Sequence, residues 1–120
     1  VIAATALACG SDVTAPTRPT PAVDPALAVG RDAYVRACGA CHGVDMEGTA
    51  VGPSLRSIVY EPAHHPDETF RAAIRDGVAA HHWDFGPMPA IPGIDDDEAT
   101  AIIAWVRSEQ QRLGFLPAGS

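Results

Sequence analysis

Two thiols and an imidazole stand within one short run, Cys38-Gly39-Ala40-Cys41-His42, and their spacing defines a chemistry. Cys-x-x-Cys-His is the attachment signature of a c-type haem. Each thiol adds to a porphyrin vinyl group as a thioether, and the adjacent His stands under the iron as its proximal ligand. The same residue types admit three other uses: a redox dithiol, half of a zinc site, or a structural disulfide. A redox pair wants a strand before it and a helix after it, whereas an amphipathic helical pattern precedes this run and a Gly-rich stretch follows. Zinc needs four ligands. The remaining candidates are Cys9 and the adjacent pairs His64-His65 and His81-His82, which are not expected to converge easily on one ion. Haem is the reading adopted for Cys38, Cys41 and His42.

An iron held from one side needs something on its other face, and the candidates are Met46, Met88, His81 and His82. Met46 follows His42 too closely to reach around a macrocycle, so it is expected to pack. Met88 lies in Phe85-Gly86-Pro87-Met88-Pro89-Ala90-Ile91-Pro92, where flanking prolines restrict the backbone and pre-organise the thioether. It is the favoured distal ligand, with His81, His82 and an open position as the alternatives.

The elements that must position these groups are helical. Asp24-Pro25 reads as an N-cap followed by proline at the first helical position. Leu27, Gly30, Tyr34 and Cys38 then recur at helical spacing, with Arg31, Asp32 and Arg36 opposite. Gly30 inside that pattern costs about 1 kcal/mol relative to Ala, which a close crossing by another helix would explain, with Tyr34 as the packing knob. Gly43, Gly48 and Gly52 punctuate a polar loop suited to wrapping one haem edge. Pro66 to Asp76 reads as a short helix with Phe70, Ala73 and Ile74 on one face, ended by an αL cap at Gly77. His64 and His65 precede it as expected surface residues. Asp95 and Glu98 form a capping box for a last helix whose Ala99, Ile102, Ile103 and Val106 make the apolar stripe. Arg107, Glu109, Gln110, Gln111 and Arg112 are expected to face water, and Gly114 to stop the helix.

Length and composition agree with a cofactor-centred core. The 120 residues allow one domain, and only 6% are aromatic against 11 prolines and 11 glycines. So few large side chains make a marginal core, which a buried apolar cofactor would complete. The formal charge of −7, from 8 basic and 15 acidic residues, argues against nucleic acid and anionic lipid as partners. It favours redox proteins with a basic docking face. No run of ~20 apolar residues is present to span a membrane.

The pattern Gly30-x-x-x-Tyr34-x-x-x-Cys38-x-x-Cys41-His42-Gly43 resembles the first helix of a class I cytochrome c, and the resemblance extends over about residues 26–116. It implies an all-α fold, with three main helices plus loops around one covalently bound haem c, whose first and last helices cross beside the haem. Gly52-Pro53-Ser54-Leu55 is similar to the family segment whose proline carbonyl accepts the proximal His Nδ1–H and whose leucine packs on the ring. That assigns Pro53 and Leu55; a ligating His nearly always has such an acceptor. Met88 matches the family's Met-Pro loop, and Ile102 and Trp105 occupy the places that pack on Gly30 and Tyr34. Trp83 and Arg56 are candidates for a haem propionate. The implied activity is monomeric single-electron carriage between redox partners and not enzymatic catalysis. The rivals are a haem-based small-ligand sensor and an electron-entry module of a larger dehydrogenase or oxidase.

Residues 1–9, Val-Ile-Ala-Ala-Thr-Ala-Leu-Ala-Cys, are small and uncharged and read as the end of a signal peptide. Ala8-Cys9 resembles a bacterial lipoprotein junction, although Ala6 stands where Leu is usual. Cys9 is accordingly the candidate lipid anchor, with a free thiol as the alternative. Val1 is either a point inside that signal or an unusual start. Residues 10–24, with Pro16, Pro19 and Pro21, read as a semi-rigid linker reaching up to ~45 Å. The haem domain is expected over residues 25–116 and a frayed tail over 117–120. These readings place the domain on the periplasmic side of a bacterial envelope.

Overall fold

The computed structural model describes residues 24–117. The Cys9 anchor, the signal remnant, most of the linker and most of the tail lie outside the described residues. Helices α1 (Pro25–Ala37), α2 (Gly39–His42), α3 (Asp67–Asp76) and α4 (Asp96–Arg112) follow in order, with a 3₁₀ turn at Ile58–Tyr60. The arrangement is all-α, and α1, α3 and α4 are its three main helices.

Each start has a local cause. The Asp24 carboxylate accepts the Ala26 N–H at 2.9 Å and Pro25 opens α1. Asp95 accepts the Glu98 N–H at 2.8 Å, and Asp96, Asp97 and Glu98 put negative charge at the positive end of the α4 dipole. The Glu98 carboxylate pairs with Arg36 of α1, so the capping-box residue also ties the two helices together. Gly77 ends α3 with φ 76° and ψ −176°. That is a positive-φ extended residue rather than the expected αL cap. A Cβ there would lie 2.5 Å from the Met88 carbonyl oxygen, so the glycine admits the returning backbone at Met88.

Helix α1 crosses α4 at Gly30. A Cβ on Gly30 would lie 2.0 Å from the Ala101 carbonyl oxygen and 3.0 Å from Trp105 Cβ, so backbone meets backbone with no room for a methyl group. The expected neighbour Ile102 is buried in the same core, but Ala101 is what Gly30 meets. One turn on, the Tyr34 and Trp105 rings lie 4.7 Å apart at 44°. Rings of this kind bury ~150–250 Å² each, an upper bound of ~4–6 kcal/mol apiece. Around them pack Ala33, Met46, Leu55, Tyr60, Ile102 and Val106.

The outer face of α4 is not what residue type alone suggests. Arg107 and Gln110, expected to face water, are buried at 8% and 0% exposure. Arg107 donates to the carbonyls of Tyr60 and His65, pairs with Asp67 at 2.9 Å, and lies 4.7 Å above the Phe70 ring. It also donates to Gln110 Oε1 at 3.1 Å, while Gln110 Nε2 donates to the Leu55 carbonyl at 2.8 Å. A cation whose donors are met in this way can be buried. The two side chains fasten the Leu55 loop, the 3₁₀ turn and the start of α3 to α4.

Candidate functional site

A largely apolar cleft lies between α4, α3 and two loops, lined among others by Cys38, His42, Pro53 and Leu55 on one wall and by Val78 and Met88 on another. The first wall grows out of α1. The Cys38 N–H donates to the Tyr34 carbonyl at 2.7 Å, and α2 carries the chain through Cys41 to His42. Gly43 turns at φ 82°, and its carbonyl accepts the buried Tyr34 hydroxyl at 3.0 Å. Burial pushes the Tyr34 phenol well above its ordinary range, with Cys38 as the next cause. That hydroxyl therefore stays a donor.

The loop then doubles back on the motif. Thr49 Oγ1 donates to the Cys41 carbonyl at 2.8 Å. Met46, fully buried, sits at φ 65°, where its carbonyl accepts Leu55 N–H at 3.0 Å and Ser54 Oγ–H at 2.9 Å. A non-glycine residue in that region is strained, and here its burial and two accepted bonds hold it. Met46 is thus a packing residue, as expected. Gly52 runs so close to the motif that a Cβ would meet the Cys41 carbonyl oxygen at 2.6 Å. The result is a bond of 2.9 Å between His42 Nδ1 and the Pro53 carbonyl. A carbonyl only accepts, so Nδ1 carries the proton and the lone pair is left on Nε2.

Cys38 and Cys41 are unpaired thiols, Cys38 half-buried and Cys41 exposed. Burial, and secondarily Cys41, push the Cys38 thiol up to about 11. A dithiol that works by exchange needs the opposite, a lowered thiol pKa. The environment therefore disfavours the redox-pair reading.

On the other wall, Val78 and Met88 exchange both backbone N–H···O bonds at 2.9 Å. Ile91 N–H reaches the Ile74 carbonyl at 2.8 Å, and Pro87 and Pro89 flank the methionine. Arg56 Nε donates to the Asp45 carbonyl at 2.7 Å and does not line the cleft, whereas Trp83 lines it and stacks on Tyr60 at 5.7 Å.

The histidines differ most from expectation. His65 is buried rather than on the surface, with Nδ1 2.7 Å from the Val59 carbonyl. His64 Nε2 lies 3.3 Å from His82 Nε2. Three of the four, His64, His65 and His82, bring ring nitrogens within 4.8 Å of one another, because the turn before α3 and the loop after it meet there, whereas His81 Nδ1 lies against the Ala79 carbonyl. Desolvation, then the neighbouring His81, His65 and His64, hold His82 below the ordinary histidine pKa.

The sequence matches the family model for cytochrome c over residues 27–110. The chain belongs to the cytochrome c family. It is 33% identical over 76 residues to cytochrome c oxidase subunit 2 of Alkalihalophilus pseudofirmus, an alignment of 59% of this chain and 22% of that protein. Among solved structures it is similar to the c-type cytochrome XoxG of Methylobacterium extorquens AM1 (TM-score 0.55, 22% identity, covering 72% of this chain and 52% of that one), a likeness of fold. It is also similar to cytochrome CL of Methylophaga aminisulfidivorans MPT (TM-score 0.50, 26% identity, 82% and 71% covered). The chain thus spans about a fifth of the oxidase subunit and about half of XoxG.

The cofactor of this class I cytochrome c is covalent haem c. The residues present suit the group. The cleft walls are apolar, the Cys38 thiol and the His42 imidazole, whose Nδ1 is bonded to Pro53, line it together with the Met88 thioether, and Cys41 is an exposed unpaired thiol one position before His42, outside the lining.

Proposed function

We propose that this cytochrome c is a single-electron carrier, not an enzyme, in which Cys38 and Cys41 bind the haem covalently and His42 and Met88 are the axial ligands. The observation that carries the reading is the His42 Nδ1 to Pro53 carbonyl bond of 2.9 Å. It fixes the tautomer, orients the ring and raises its basicity, the usual device behind a ligating histidine. When bound, the haem supplies an iron that gains and loses one electron, with a thioether ligand favouring the reduced form. Pro87 and Pro89 limit the movement of Met88, Leu55 closes the apolar wall beside the ring, and Met46 and Tyr34 keep the loop behind His42 from shifting.

The haem domain is taken as residues 25–116, with residues 10–24 as linker and 117–120 as tail. Redox protein partners with a basic docking face suit a net charge of −7, and a monomer suffices for that role. Among the described residues no helix is long and apolar enough to cross a membrane. Lipidation of Cys9 would hold the domain at the periplasmic side of the envelope. The likeness to an oxidase subunit favours a second reading, in which this domain is the electron-entry part of a larger assembly.

Mass spectrometry and acid extraction test the first claim. The wild type should keep one haem through acidic solvent and undergo a reversible one-electron titration. Haem that is extracted from the wild type, or that stays covalently bound in a Cys38→Ala/Cys41→Ala protein, overturns it.

A further inference from the structure

The histidines at the mouth of the cleft are absorbed by neither haem attachment nor axial ligation. We propose that His64, His65 and His82 form a binding site for one late first-row divalent cation of the Zn²⁺ or Cu²⁺ kind.

Each of the three offers a ring nitrogen, and these nitrogens lie within 4.8 Å of one another. The 3.3 Å between His64 Nε2 and His82 Nε2 is close to the edge of a tetrahedron built on metal–nitrogen bonds of ~2.0–2.1 Å. His65 is prepared as a ligand. Its Nδ1 donates to the Val59 carbonyl at 2.7 Å, which puts the lone pair on Nε2 and fixes the ring, as the partners behind metal-bound imidazoles do. Its burial and the Tyr60 ring 5.4 Å away hold it in one place, while His64 and His82 are exposed and admit the ion from solvent. Three neutral imidazoles with an open fourth position suit zinc and copper, and suit the oxygen-seeking Mg²⁺ and Ca²⁺ poorly. A net charge of −7 adds a general attraction for cations.

The competing account of the short nitrogen–nitrogen distance is a simple His64–His82 hydrogen bond. Such a bond needs no third imidazole and no fixed tautomer at His65. The site joins the turn before α3 to the loop between Val78 and Met88. A bound cation would therefore clasp the distal loop to the body of the domain.

The test uses the haem-loaded chain without a polyhistidine tag, stripped with chelator and titrated with Cu²⁺ or Zn²⁺. One equivalent should bind at neutral pH. The Cu²⁺ complex should show nitrogen hyperfine structure in its electron paramagnetic resonance spectrum, and the cation should raise the unfolding midpoint. His64→Ala and His82→Ala, both at exposed positions, should each weaken binding by at least about ten-fold, and His81→Ala should not. Haem content read from the absorption spectrum of each protein keeps a failure of haem attachment distinct. Absence of stoichiometric binding, Mg²⁺ competing equally well, or affinity unchanged in the His64 and His82 variants would overturn the site.

Discussion

The proximal wall of the cleft hangs from the α1–α4 core at several points, whereas the distal wall holds Met88 by a pair of backbone bonds to Val78 and two flanking prolines. Behind His42 stand the Pro53 carbonyl, the Tyr34–Gly43 bond, the buried Met46 and the Arg107–Gln110 pair that ties Leu55 and Tyr60 to α4. Around Met88 the chain is mostly exposed, from Asp84 to Pro87 and again at Pro89 and Ala90. His42 is thus positioned by tertiary packing and Met88 by local stiffness. A wall of the first kind fails only with the fold, while a wall of the second kind can open with the fold intact.

Removing both thiols should have the largest effect on the proximal side. Cys38→Ala/Cys41→Ala should lose covalent haem, and with it the apolar surface that fills the cleft. Acid extraction and calorimetry should show free haem and a strongly lowered unfolding temperature.

Next comes the crossing behind that wall. Helix propensity alone makes Gly30→Ala stabilising by up to ~1 kcal/mol. A Cβ 2.0 Å from a backbone oxygen cannot be accommodated without moving a helix, so overpacking of ~1–3 kcal/mol should win. Denaturant unfolding should show Gly30→Ala destabilised and Gly30→Val more so; a more stable Gly30→Ala protein would mean the helices do not meet there.

A smaller change separates the walls. Gln110→Leu leaves the Leu55 carbonyl without its side-chain donor and removes one of the two acceptors of Arg107 Nη1, which keeps the Tyr60 carbonyl, a cost of about 1–3 kcal/mol. It should lower stability without altering the axial bond proposed for Met88, which the spectrum of the reduced protein checks.

The smallest predicted effect is a pH slope. Burial pushes the Tyr60 phenol up to about 12 from its ordinary 10. The folded chain then keeps a proton that the unfolded chain releases. Stability should be whole below pH ~10 and fall between ~10 and ~12. Tyr60→Phe should flatten this fall in unfolding midpoints measured across that window.

The difference between the walls also marks what the sequence made legible. Asp24-Pro25, Asp95 and the Gly30–Tyr34 spacing act locally or by helical phase, and they gave the helix starts and the crossing. The His42–Pro53 bond was legible through resemblance to the cytochrome c pattern. Arg107 and Gln110 were not read as buried because their type outweighed their phase. Arg107 lies four residues after Ile103 and Gln110 four after Val106, on the apolar stripe itself, and that spacing was the available signal. The histidine cluster joins positions 64 and 82 through the path of α3, a tertiary fact that neither periodicity nor a motif carries. Gly77 had a signal of the right kind with the wrong consequence: positive φ was expected, but it makes room for the backbone at Met88 rather than forming an αL cap.

Carbon monoxide addition to the reduced protein tests the central claim, that His42 and Met88 close both faces of the iron. The unmutated chain at neutral pH should keep its absorption spectrum unchanged, and Met88→Ala should bind carbon monoxide and titrate at a lower potential, while Met46→Leu, His81→Ala and His82→Ala behave as the parent. Rapid binding by the unmutated protein would contradict the account and make this a ligand-sensing haem domain, and a change seen only on altering His81 or His82 would move the distal bond away from Met88.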